Sequence, residues 1–292
     1  MTGSLTTPQL IKAPRDADQG QADTRRSRRR RRQLVWLGRV LVPVIALGSW
    51  QWLTTIGVLD KFFYGQPTGV WHSLVHLFTK GTAFGSIWTN LMVTIKEAFY
   101  GFLLGTGSGI VIGLILGQNR MLADILGPYI KVLNAIPRII LGSIFIVAFG
   151  LGTFPKVLLA AVLVFFIVFF NAYQGVREVD QNLVANVKVL GASPLEVARH
   201  VTIPSALTWI IASLHTAFGF AIIGALVAEV LGAQQGIGLI ISEAQGNFDP
   251  DTVFACMAIM AVVTLVAEYL ITLLEKRVLS WRPPSHAESA GI

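Results

Sequence analysis

The chain alternates polar stretches with apolar runs that are too long and too continuous for the two-faced elements of a soluble fold. Residues 34–59 are apolar apart from Arg39, which lies near one end, where a long side chain can reach the interface. Residues 98–117 carry no charge. Residues 139–155 and 157–173 are separated by a corner at Lys156, and the first of these runs extends backwards through 129–137. Residues 205–228 hold one ionisable group, His215, and 252–274 hold one, Glu268. A hydrocarbon core about 30 Å thick needs roughly 20 helical residues to cross it. The pattern therefore predicts an all-α integral membrane protein with six transmembrane helices, at about 34–59, 92–117, 129–153, 155–173, 205–229 and 252–274.

Composition agrees with this. The hydrophobic fraction of 53% rises to about 61% when Gly is counted and Tyr is not, against roughly 45–50% in soluble chains. Charged residues make up 13%, half of the roughly 25% a soluble surface requires. The net charge of +7 suggests a polyanion ligand until it is located. Residues 1–33 hold nine Lys or Arg against three Asp, so nearly the whole excess sits there, which argues against a nucleic-acid face on the folded part. Charge this dense resists folding, and the segment is read as a disordered basic cytoplasmic tail; 283–292 form a short C-terminal tail. No small-x-small cleavage site follows the first apolar run, so it reads as an uncleaved span in contact with lipid. The single cysteine, Cys256, excludes an internal disulfide and reads as a buried thiol.

Lys and Arg counted over alternate connections give sixteen on the side of the N-terminus and three on the other (Lys61, Lys80 and the Lys156 corner). Both termini of the multi-pass chain are expected in the cytoplasm. The second span carries Gly101, Gly105, Gly109, Gly113 and Gly117, one stripe at four-residue steps that lets another helix approach closely, within the chain or at a subunit interface. Small or ionisable polar groups within spans, Asn134, Ser143 and His215, are candidates for lining a translocation path; for His215 a hydrogen bond to a neighbouring helix is the other reading. Glu229, at the outer end of the fifth span, reads as a group fixing helix ends or the outer loop, and Glu268 as a partner for Lys276 or Arg277.

The most informative stretch is 182–207, which is too polar to span. Leu183, Val187 and Leu190 recur at helical spacing, and Gly191 supplies a break. Ser193, Pro194 and Glu196 then form a capped helix start, with Ser193 at the cap and Glu196 reaching back. A short helix over 194–200 is expected to stop at Pro204, giving a rigid elbow suited to a partner's groove.

From Gly191 through Val201, Thr202, Ile203 and Pro204 the chain resembles the cytoplasmic signature of binding-protein-dependent ABC importer permeases, E-A-A-x3-G-x9-I-x-L-P. The signature's Glu-Ala-Ala falls on Ala185, Asn186 and Val187, so its acid is absent. Residues 136–156, 171–184 and 226–240 look like the sulfonate, taurine and nitrate branch, and the resemblance covers roughly 60–282. It implies a type I ABC importer permease fold with a coupling helix between spans four and five, in a bacterial inner membrane. The coupling interface would comprise Leu183, Val187, Leu190, Gly191, Ala192, Ser193, Pro194, Glu196, Val197, Val201 and Pro204. Implied partners are a cytoplasmic ABC ATPase dimer, an extracytoplasmic solute-binding protein and a second permease copy, most simply in a homodimer. The solute would be small and anionic, of alkanesulfonate, taurine or nitrate type. The chain has no G-x4-G-K-[ST] loop and no H-E-x-x-H pair, so it is expected to be non-catalytic and to bind no metal or cofactor, with ATP and magnesium held by the ATPase. The rival reading is a secondary transporter or channel independent of ATP, which usually shows intramembrane acid or base relays and repeated halves.

Overall fold

The computed structural model describes residues 16–278, helical apart from short connections and without a β-strand among the described residues. The chain divides after Lys61 into two compact units. The first holds α1 (Asp16–Thr55), whose part Arg31–Thr55 is long and apolar enough to cross a membrane. α1 begins well before Leu34, so much of the basic segment expected to be disordered is helical; its first fifteen residues lie outside the described residues. Arginine is a good helix former, and a helix nucleated in an apolar span gains a backbone hydrogen bond for each residue added to its end.

After the single turn α2 (Lys61–Tyr64), the second unit contains α3 (Pro67–Thr79), α4 (Ile87–Gln118), α5 (Arg120–Ala135), α6 (Arg138–Phe149), α7 (Thr153–Arg177) and α8 (Gln181–Val189). It continues with α9 (Pro194–Val197), α10 (Ile203–Leu231), α11 (Ile237–Gly246) and α12 (Pro250–Val278). Of these, α4, α7, α10 and α12 are single spans. The expected third span is not one helix over 129–153: α5 and α6 meet at 86°. Pro137 explains the break, because its ring drives the preceding residue out of the helical region, and Ile136 takes φ −65°, ψ 128°.

α7 is the central helix, packed against both α4 and α10, which also meet each other, Phe102 and Phe218 lying with ring centroids 5.3 Å apart. A Cβ on each stripe glycine of α4 would collide with α7: Gly101 with Ala160, Gly105 with Val164, Gly109 with Val168, Gly113 with Ala172 and Gly117 with Val176. Each partner lies 59 positions later, so the two helices run parallel in one unbroken register. α10 runs antiparallel to α7, where a Cβ on Gly224 would sit 2.6 Å from Ala160 Cα and one on Gly175 would sit 2.9 Å from Ala206 Cα. Lipid tails are as apolar as leucine, so van der Waals contact at close approach holds such helices together. The stripe is thus consumed in packing within the chain, the first of its two readings.

The corner expected at Lys156 is absent. Lys156 lies near the start of α7, 3% exposed, with Nζ donating to Leu151 O at 3.2 Å and sitting 3.6 Å from Glu97 Oε1. Glu97 and Lys156 are also 59 apart, which makes this ion pair the top rung of the glycine seam. A lone charge between two apolar runs reads as a loop in sequence; here a buried carboxylate allows it to sit inside a helix. Cys256 is buried in the core with Ala255, Ile259 and Met260 of α12.

Candidate functional site

The link between α7 and α10 is built as a rigid elbow. Asp180 caps α8, its carboxylate accepting from Asn182 N at 2.8 Å. α8 ends in a paired carbonyl lock: Ala192 N donates to Val187 O at 3.2 Å and Gly191 N to Lys188 O at 3.0 Å. This geometry needs a left-handed residue, and Gly191 supplies it at φ +90°. α9 then opens with a full capping box: Ser193 Oγ accepts from Glu196 N at 3.4 Å, and Glu196 Oε2 accepts from Ser193 N at 2.7 Å.

From the far end of α9 the chain does not stop at Pro204. Ala198–Thr202 forms a π turn in which Ile203 N donates to Ala198 O, and α9 runs through it into α10. Pro204 cannot donate to the carbonyl four residues back, and its ring crowds that carbonyl; the wider turn absorbs the mismatch without ending the helix.

Of the residues expected on the elbow, Leu183, Leu190, Gly191, Ser193, Pro194 and Glu196 are exposed, while Val187, Ala192, Val201 and Pro204 are half-buried. Val197 turns into the core and is buried, so it presents no outward surface. Two residues outside the expected set complete the outer face: Val189 is 87% and Leu195 78% exposed, beside Leu190 at 85%. Their sequence signal was the apolar cluster immediately flanking Gly191, masked by the stronger helical spacing of Leu183, Val187 and Leu190.

The candidate path residues separate into two places. Asn134 lies at the end of α5, and its Oδ1 accepts from Arg138 Nη2 at 2.8 Å across the break. Ser143 is exposed on α6, with Oγ donating to Ile139 O at 3.4 Å. His215 belongs elsewhere: its Nε2 lies 3.0 Å from Glu275 Oε2, tying α10 to α12, the interhelical alternative of its two readings. Glu268 forms no ion pair among the described residues; the Lys276 side chain lies outside them.

At the end of the bundle opposite the elbow, Asn90, Thr94 and Glu97 form a buried polar stripe on α4. Glu229, fully buried at the end of α10, accepts from Thr94 Oγ1 at 2.7 Å and from Gly238 N at 2.7 Å. Thr94 Oγ1 accepts from Ile237 N at 2.9 Å, and Asn90 Oδ1 from Gly236 N at 2.8 Å. Three successive amides at the start of α11 are therefore satisfied by side chains of α4 and α10, a need every helix start has. Glu229 fixes a helix end, as its position in the sequence suggests.

Five helices long and apolar enough to cross a membrane, a sixth span that is broken, and an elbow that stands out from the bundle define, among the described residues, a multi-pass, all-helical membrane protein. Residues 109–280 match the family described as binding-protein-dependent transport system inner membrane component, and the chain belongs to that family. It is 31% identical, over 89% of its length and 93% of the relative's, to a chain from Bacillus subtilis (strain 168) named as an aliphatic sulfonates transport permease protein, SsuC. It is 30% identical to the protein of the same name from Escherichia coli (strain K12), covering 88% of this chain and 97% of that one. The fold is that of type I ABC importer permeases, shared with an amino acid ABC transporter crystallised with histidines: TM-score 0.52, 21% identity, 65% of this chain and 92% of that one. The protein is an inner-membrane permease subunit of a binding-protein-dependent ABC transporter, not its catalytic subunit.

Proposed function

We propose that the chain forms the translocation path of an importer for a small anionic solute of the aliphatic sulfonate type, and that an ATPase dimer docks on its elbow. The solute class is supported by two relatives named for aliphatic sulfonates, each matched over nearly its whole length. The docking surface is supported by one observation above all: Val189, Leu190 and Leu195 stand out from a turn whose backbone is locked on both sides of Gly191. Large apolar side chains held rigidly away from their own fold are preorganised for a partner's groove. ATP and magnesium belong to that partner, an extracytoplasmic binding protein delivers the solute, and a second copy of this chain supplies the second elbow. Both termini face the cytoplasm, and the burial of Lys156 strengthens that assignment by removing one of the three cations counted on the other side.

Gly191→Leu tests the docking role. No atom blocks a Cβ at Gly191, but a side chain at φ +90° is strained, so the turn must change. The purified variant is expected to keep the thermal midpoint of the wild type while losing ATPase binding and solute-stimulated ATP hydrolysis at least tenfold. Unchanged complex formation and hydrolysis would overturn the docking surface. Native mass of the wild-type complex is expected to show two permease copies.

A further inference from the structure

The break between α5 and α6 places a cation where membrane proteins rarely tolerate one. Arg138 opens α6, and its Cζ lies 5.9 Å from the ring centroid of Phe166. Phe166 is 13 residues from the first residue of α7 and 11 from the last, roughly 20 Å and 16 Å at ~1.5 Å per residue. The guanidinium is therefore close to half depth. It forms no ion pair among the described residues: Glu97 pairs with Lys156, Glu229 accepts from Thr94 and Gly238, and Glu275 lies against His215. Its Nη2 donates to Asn134, and its Nε is buried without a hydrogen-bond partner. An uncompensated charge at this depth faces the bundle interior or a water-filled cavity. The backbone beside it gives the same answer independently. Ile136 and Pro137 leave the helical pattern, and Ala135 and Pro137 are exposed; non-helical backbone at membrane depth is tolerated only where protein covers it or water reaches it.

We infer that Arg138 is the anion-recognition residue of the translocation path, its guanidinium taking the sulfonate oxygens of the passing solute at the break between α5 and α6. Asn134 acts as the positioning residue, since its side-chain oxygen fixes one arm of the guanidinium. The planar fork of Arg fits a tetrahedral oxyanion through two parallel donors, and Phe166 holds the plane from one face. The α6 start carries the positive end of a twelve-residue helix and no side-chain cap at Pro137, so its field adds to the same charge. This inference rests on the reading of the chain as a permease for anionic solutes.

The test is the melting of the purified permease–ATPase complex, titrated at constant ionic strength with ethanesulfonate and with dimethyl sulfone, a neutral molecule of similar size. Ethanesulfonate is expected to raise the midpoint of the wild type and dimethyl sulfone to leave it unchanged. In Arg138→Gln the apparent affinity for ethanesulfonate falls tenfold or more, while Arg138→Lys retains a measurable part of it. Should Arg138→Gln not yield a folded complex, Asn134→Ala carries the test: it weakens ethanesulfonate binding severalfold without altering the midpoint in its absence. Equal affinity in the wild type and in Arg138→Gln, an equal response to both compounds, or no response in the wild type overturns the inference. Ethanesulfonate uptake by proteoliposomes with binding protein and ATP is measured separately. If the wild type binds the anion through Arg138 yet imports no sulfonate, the solute assignment falls and the anion site stands.

Discussion

Lys156 shows how much can rest on one side chain. With Glu97 it forms a pair almost without solvent, the two side chains 3% and 1% exposed. Removing one partner from a buried pair costs about 3–5 kcal/mol, because the other charge remains desolvated. Lys156→Met is therefore expected to lower the thermal midpoint of the purified permease sharply, and adding Glu97→Gln to recover much of the loss. A double-mutant cycle by thermal melting checks this; additive losses would show that the two groups do not interact. The sequence disclosed neither the pair nor the place of Arg138. Each is a single charge next to proline and apolar residues, and such a charge looks like the boundary of a span unless its partner, a carboxylate or the ring of a distant phenylalanine, is known.

At the scale of elements, much more was legible. Six apolar runs, the four-residue glycine stripe and the Ser193–Glu196 cap are local patterns, and each has a counterpart in the structure because backbone hydrogen bonding and packing period act over few residues. Punctuation by proline was legible only in part. Pro137 breaks the third span, as a proline that bends or ends a helix does, whereas Pro204 did not end the helix expected to stop there. The difference lies in what surrounds them: α9 and α10 accommodate Pro204 through a π turn, which inserts an extra residue into the helical path. Pro204→Ala removes the reason for that turn. Restoring an ordinary helix there rotates α9 against α10 by about 100°, one residue's worth at 3.6 per turn. Cysteine cross-linking from Leu195 to the ATPase is expected to change its pattern of partners while Gly191 keeps the elbow itself intact. An unaltered pattern would mean that packing alone, and not Pro204, maintains the turn.

At the largest scale, the second unit is three closely packed helices with a broken span beside them. α4 and α7 touch through glycine against alanine and valine from Gly101 to Gly117, α10 closes on α7 at Gly224 and Gly175, and packed surfaces of this kind shift as a unit. α5 and α6 meet at 86°, α6 packs on α7 and α10, and the elbow hangs from the ends of α7 and α10. A pull on the elbow is thus delivered directly to the two helices that carry the core. The constant spacing of 59 along the seam has a further consequence, in time instead of space. A ribosome adding about 5–20 residues per second produces Lys156 roughly 3–12 seconds after Glu97. During that interval α4 must wait in or beside the membrane with an acid and a bare glycine groove that nothing yet fills. Nascent chains halted before residue 156 are expected to hold α4 in the bilayer less firmly than chains halted after α7 is complete, as alkaline extraction of stalled complexes would show. Equal retention would mean that α4 enters unaided; unequal retention would make the order of synthesis a part of how this bundle is assembled.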